Sequence, residues 1–184
     1  ETKAGQLCRG LGYSEIITYS FVSPAIFDQI RLPKDDARRN TLKIQNPLGE
    51  DTSVMRTTAL PSMMDILSRN SAYHNKAVKL YELAKIYLPT EGSLLPEEPK
   101  ILVLGAYGPK ESFFTVKGDL EEIFKSLRIK KARYTADSSN PSYHPGRCAK
   151  VSIDGTEIGY IGQIHPLVAK NYGIDSEVYC AEIN

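Results

Sequence analysis

The chain has no tryptophan, only three cysteines and three histidines in 184 residues, and no dominant charge, its 23 lysines and arginines nearly matching its 22 aspartates and glutamates. Each scarcity excludes something. Cys8, Cys148 and Cys180 are odd in number, far apart and without Cys-x-x-Cys spacing, which argues against a disulfide framework or a structural zinc site and for a reducing compartment. A net charge of +1 gives no overall field for nucleic acid, so an RNA contact would need a local patch. No apolar run approaches the ~18 residues a membrane helix needs, and the start lacks a secretory leader pattern. A soluble, cytoplasmic protein is expected. The chain opens on Glu1 rather than Met and enters a periodic segment at once, as an excised piece of a longer polypeptide would. Its length suits one domain, residues 1–184, able to bury roughly 70% of the surface of its unfolded form.

What is present reads as alternating short elements. Thr2 to Leu11 has helical spacing with Leu7 and Leu11 on one side, stopped by Gly10 and Gly12. Tyr13 to Val22 is rich in Ile, Thr, Tyr and Phe and predicts a strand. Ser23-Pro24 opens a brief helix over Ala25 to Ile30, and the charged stretch Arg31 to Asn40 predicts a loop before a strand at Leu42 to Gln45. Leu60, Met63, Met64 and Leu67 fall at i, i+3, i+4 and i+7, one buried helical stripe. Val78 to Leu88 and Ile101 to Tyr107 predict paired strands. Val116, Leu120, Ile123, Phe124 and Leu127 mark a second amphipathic helix, with Glu121 and Lys125 as an i, i+4 pair. Ala149 to Tyr160 alternates around Asp154-Gly155, a hairpin signal, and Pro166 to Asn171 and Val178 to Ile183 predict a last helix and strand. Helices among hairpin-linked strands predict an α+β domain on an antiparallel sheet.

The residues that usually carry chemistry offer little. His144 and His165 each precede a proline, which biases them to extended or turn backbone and excludes helical His-x-x-x-His metal spacing. Cys148 beside Arg147 has one feature of an activated thiolate, but neighbours on a strand point to opposite faces, so the pairing is poor. The run Lys125 to Arg133 holds five cations, Lys125, Arg128, Lys130, Lys131 and Arg133, a candidate RNA contact against the plainer reading of a solvated helix end. Gly105-Ala-Tyr-Gly108 and Gly159-Tyr-Ile-Gly162 are too short to cradle phosphate and read as strand glycines where another backbone comes close.

Taken together, Gly12-Tyr-Ser-Glu-Ile-Ile-Thr-Tyr-Ser-Phe21, Asn46-Pro-Leu-Gly49, Met55-Arg-Thr-Thr-Ala-Leu-Pro61, Leu80-Tyr-Glu-Leu-Ala-Lys-Ile-Tyr87, Phe113-Phe-Thr-Val-Lys-Gly118, His144-Pro-Gly-Arg147 and Gly162-Gln-Ile-His-Pro166 resemble, in order, the core of the phenylalanine-tRNA ligase beta subunit family. The resemblance implies a class II aminoacyl-tRNA synthetase-like fold, an antiparallel sheet flanked by helices. Catalytic members carry three signatures, and this chain departs from each. Tyr19 stands where the first has proline. Leu88 and Thr90 stand where the second has the arginine that grips the ATP α-phosphate and an acidic residue. Cys180-Ala-Glu-Ile-Asn184 stands where the third has the glycines that nucleotide approaches.

The resemblance therefore implies a non-catalytic core, without an ATP, Mg²⁺ or other cofactor site of its own, that supports packing of the alpha subunit in an (αβ)₂ enzyme charging tRNA(Phe). The parent complex would use the ATP and Mg²⁺. It implies that the first helix and strand, Thr2 to Phe21, form a subunit interface, with Leu7, Leu11, Tyr13 and Ile17 as candidate contacts. Two alternatives remain at this point: a self-sufficient adenylate-forming enzyme, and a stand-alone RNA-binding module using Lys125 to Arg133.

Overall fold

The structure is a computed structural model that describes residues 1–93 and 95–184. Helix α1 (Thr2–Gly10) leads through Gly12, at φ +86, into β1 (Ser14–Glu15). A two-stranded pairing of β2 (Phe21–Val22) with β3 (Val54–Met55) brackets the short α2 (Ile26–Gln29), and α3 (Leu60–Ala72) follows. The remainder is β4 (Val78–Lys85), β5 (Lys100–Tyr107), α4 (Phe113–Ser126), β6 (Ala132–Ala136), β7 (Tyr143–Ile153), β8 (Thr156–Ile164), α5 (Pro166–Asn171) and β9 (Val178–Ile183).

Seven strands form one sheet in the order β1-β4-β5-β9-β8-β7-β6, antiparallel except for β1 on β4. The hairpin signal at Asp154-Gly155 becomes a turn with both residues at positive φ, 48° and 86°, the geometry whose twist matches the strands it joins. Successive strand residues face opposite layers. Leu80, Val103 and Cys180 join a core with α2, α3 and α5, whereas Tyr81, Leu104 and Ala181 join a second core with α1 and α4. At Gly159 the backbone of β9 comes so near that a Cβ would lie 1.9 Å from the Glu182 carbonyl oxygen, and at Gly162 one would lie 2.7 Å from that of Arg147. Gly105 is different in kind: the Met63 side chain on α3 fills its space.

Five features depart from the sequence reading. Tyr13 to Val22 is two short pairings separated by unpaired backbone. Leu42 to Gln45 makes only a single bridge, Lys43 to Val54, because its partner strand is two residues long. The run Lys125 to Arg133, read as a solvated helix end, passes at Ala132 into edge strand β6. Helix α4 stops without a glycine: Arg128 itself adopts φ +61, and the Arg128 and Ile129 amides donate back to the Lys125 and Phe124 carbonyls, the bond pattern that closes many helices. Finally, Glu121 pairs with Lys117, and Lys125 lies 3.3 Å from Glu122, in place of the expected Glu121 and Lys125 pair.

Candidate functional site

On the face covered by α3, two carboxylates flank one valine. Val103 on β5 is in register with Glu82 on β4 and with Glu182 on β9, which places the two backbones about 10 Å apart at ordinary strand spacing. Anions this deep need partners. Both are served by one stretch of chain, Arg56 to Ala59, between β3 and α3.

Arg56 is 2% exposed and Glu82 3%. The guanidinium lies 3.1 Å from a Glu82 oxygen, donates to the Lys85 carbonyl at 2.9 Å and to the Thr18 hydroxyl at 2.6 Å. Glu82 also accepts from the Thr18 backbone amide at 3.2 Å and from its hydroxyl. Glu182, half-buried, has no side-chain cation bonded to it among the described residues. It accepts from the Thr58 hydroxyl at 2.8 Å and from the Ala59 amide at 2.7 Å. Ala59 is the residue from which α3 starts, so this carboxylate sits at the positive end of the helix dipole and satisfies an amide the helix leaves free. The arrangement binds the α3 entrance to the sheet at two points.

The same network fixes an exposed edge. Ile16 makes the last backbone bond to β4, its amide donating to Tyr81, and Ser20 accepts from the Arg56 amide. Between them Thr18 is held by Glu82 and Arg56. Alternate residues then point outward: Ile17 is 91% exposed, Tyr19 83% and Phe21 48%.

The residues singled out by sequence fall into three groups. Of the candidate interface residues only Ile17 lies open. Leu7 and Leu11 pack in part against the α1 and α4 core, and Tyr13 is corrected outright: it is 2% exposed, and its hydroxyl donates to Asp119 at 2.9 Å. That tyrosine belongs to the chain's own interior. The cations Lys125, Arg128, Lys130, Lys131 and Arg133 are all exposed along the end of α4 and the start of β6. Lys131 lies 3.2 Å from Asp154, while Arg128, Lys130 and Arg133 have no ion-pair partner among the described residues.

The histidines are occupied by backbone. His144 Nδ1 accepts from the Gly146 amide, and His165 Nδ1 accepts from Leu167 as the cap of α5. Burial, then the nearby Arg31 and His144, holds the His165 pKa below its ordinary value. Cys148 is buried, its thiol pushed up to about 12 mainly by desolvation, and Arg147 turns to Gln163 and Glu177 at 2.7 and 2.8 Å. That is a thiol kept protonated. Arg56, Glu82 and Thr58 were not recognised as a site in the sequence, although a lone acid inside the apolar run 78–88 is a signal for a buried partner.

A further cleft of about 510 Å³ is lined by Phe113, Phe114, Tyr134, Tyr179, Lys117 and Arg147. Its two cations are engaged with Glu121 and with Glu177.

A family model and the curated relatives agree on one family. The model of the phenylalanyl tRNA synthetase beta chain CLM domain matches residues 1–184. The phenylalanine-tRNA ligase beta subunit of Clostridium tetani is 46% identical over the whole of this chain and 23% of its own length. That of Geobacter metallireducens is 37% identical over 95% of this chain and 23% of its own length. The chain thus spans about a quarter of these relatives. Among solved structures, a pyrrolysyl-tRNA synthetase from Desulfitobacterium hafniense superposes with a TM-score of 0.78 over 99% of this chain and 64% of that one, at 13% identity. The fold is that of a class II synthetase core.

Proposed function

We propose that this chain, which belongs to the phenylalanyl tRNA synthetase beta chain family, is a non-catalytic synthetase-like core whose work is to pack against the alpha subunit in a heterotetramer that charges tRNA(Phe) in the cytoplasm. The observation that carries this reading is Glu182. By the resemblance it stands where catalytic class II members have bare glycine backbone for nucleotide, and in this chain its carboxylate is spent on the start of α3.

The donor set does not fit a triphosphate. By the resemblance Leu88 stands in the place of the phosphate-gripping arginine; it is partly buried against the α3-side core, and its backbone pairs with Glu97. An alkyl side chain offers none of the forked, charged hydrogen bonds that phosphate takes. Removing one preorganised stabiliser typically costs about 10²–10³ in rate, and here an added anion accompanies the loss. No step of adenylate chemistry is therefore assigned to this chain, and the ATP and Mg²⁺ of the reaction belong to the rest of the complex.

Assembly, by contrast, has a surface. Ile17, Tyr19 and Phe21 form an apolar stripe at the edge of the sheet, and exposed aromatic and aliphatic side chains in one row favour a protein partner. The reading is tested with the beta subunit that contains this chain. Co-sedimentation with the alpha subunit is expected, together with background ATP-pyrophosphate exchange by beta alone for every amino acid. Exchange above background by beta alone, abolished by changes at Glu182 or Arg56, would reject the non-catalytic role.

A further inference from the structure

Of the stripe Ile17, Tyr19, Phe21, the last is held by the pairing of β2 with β3, whereas Ile17 and Tyr19 are not held by the means that usually hold an edge. Between Ile16 and Phe21 there is no strand pairing, and the backbone is instead tied by side chains from the middle of the molecule at Thr18 and by one backbone bond at Ser20. The Thr18 amide and hydroxyl both donate to Glu82, and the Thr18 hydroxyl accepts from Arg56. The Ser20 carbonyl accepts the Arg56 amide at 2.9 Å. Thr18 points inward while its two neighbours point outward, at 91% and 83% exposure. Rotation of this backbone would break the Thr18 bonds, and it would turn Ile17 and Tyr19 at the same time.

We infer that the buried trio Thr18, Glu82 and Arg56 is a positioning clamp that presets the Ile17 to Phe21 edge for the alpha subunit. This rests on the reading that the edge meets that subunit. The clamp residues are themselves too deep to touch a partner: Glu82 and Arg56 are almost wholly enclosed. Their contribution is to order the stripe before association. An edge that had to be ordered on binding would give up part of its affinity to that ordering. Arg56 also fixes the approach to α3, so the preset edge and the filled face of the sheet share one side chain.

The test uses the beta subunit containing this chain and the alpha subunit, with association measured by sedimentation and folding by circular dichroism. The double variant Ile17→Asp/Tyr19→Asp is expected to abolish association. Wild-type association in that variant removes the edge as the interface, and the clamp with it. Where the double variant does lose association, Thr18→Val is expected to weaken binding at least about tenfold, the equivalent of roughly 1.4 kcal/mol, in a folded subunit. Thr18→Ser, which keeps the hydroxyl, should remain within about twofold of wild type. Glu82→Gln is the second variant and should weaken association in the same sense. Wild-type association by a folded Thr18→Val or Glu82→Gln subunit overturns the clamp while leaving the interface in place. Loss of fold in both shows that the trio serves the core and overturns the clamp equally.

Discussion

Glu82 and Glu182 stand opposite the same valine, yet they are neutralised in different ways. Glu82 is sealed from water and balanced by a full cation, Arg56. Glu182 keeps some solvent and is balanced by a hydroxyl and the amide at the head of α3. The difference teaches what each residue risks. In the first pair, loss of the partner strands a charge in the interior. In the second, loss of the acid strands neutral donors, and water can reach part of the site.

Three changes break or sharpen this contrast. The largest effect is expected from Arg56→Met, which leaves Glu82 buried and unpaired and should cost about 3–5 kcal/mol in urea unfolding. Adding Glu82→Met should recover most of that loss, since well-packed apolar pairs often replace buried ion pairs without penalty. Failure to recover would show that Thr18 and the Lys85 carbonyl, also bonded to Arg56, matter more than the charge pair. Glu182→Ala should cost less, about 1–3 kcal/mol, the range for leaving buried donors without acceptors. An equal cost for Arg56→Met and Glu182→Ala would erase the distinction drawn here.

The smallest change concerns a neutral cap at another helix. His165 accepts from Leu167 at Nδ1, so protonation at that nitrogen removes the bond. Burial holds its folded pKa below the ordinary imidazole value of 6.5. The unfolded chain therefore takes up the proton first as the pH falls, and this contribution to stability is present above about pH 6.5 and lost as the pH drops through the lowered folded value. His165→Ala should cost about 1 kcal/mol at pH 8, as caps do, and less at pH 5. His165→Asn should keep the cap and flatten that dependence. Urea midpoints across pH 5–8 provide the measurement.

The long elements were legible in the residues. Period-3.6 stripes placed α3 and α4, and the Asp-Gly pair placed the β7 and β8 hairpin, because each pattern is local and repeated. Edge strand β6 was hidden by its composition, since an edge facing water can be charged. Arg128 concealed the end of α4 by taking a backbone conformation that normally belongs to glycine. At the site, the departures that the resemblance implies at Leu88 and Glu182 are single-residue readings. The bonds among Thr18, Arg56 and Glu82 could not be read in that way, because those residues are separated by 38 and 26 positions in the chain. Tyr13 looked like an interface residue for the same reason: nothing nearby in sequence announces Asp119, its partner.

Sequence alone determined the family and the α+β class, since these depend on residue identity and local period. Only the tertiary structure decided that one stretch, Arg56 to Ala59, serves two carboxylates on either side of Val103. It also decided that Thr18 faces inward between two outward neighbours. Those outcomes depend on strand register and on the path of β3 into α3, and register is fixed by the packing of the whole sheet rather than by any one segment.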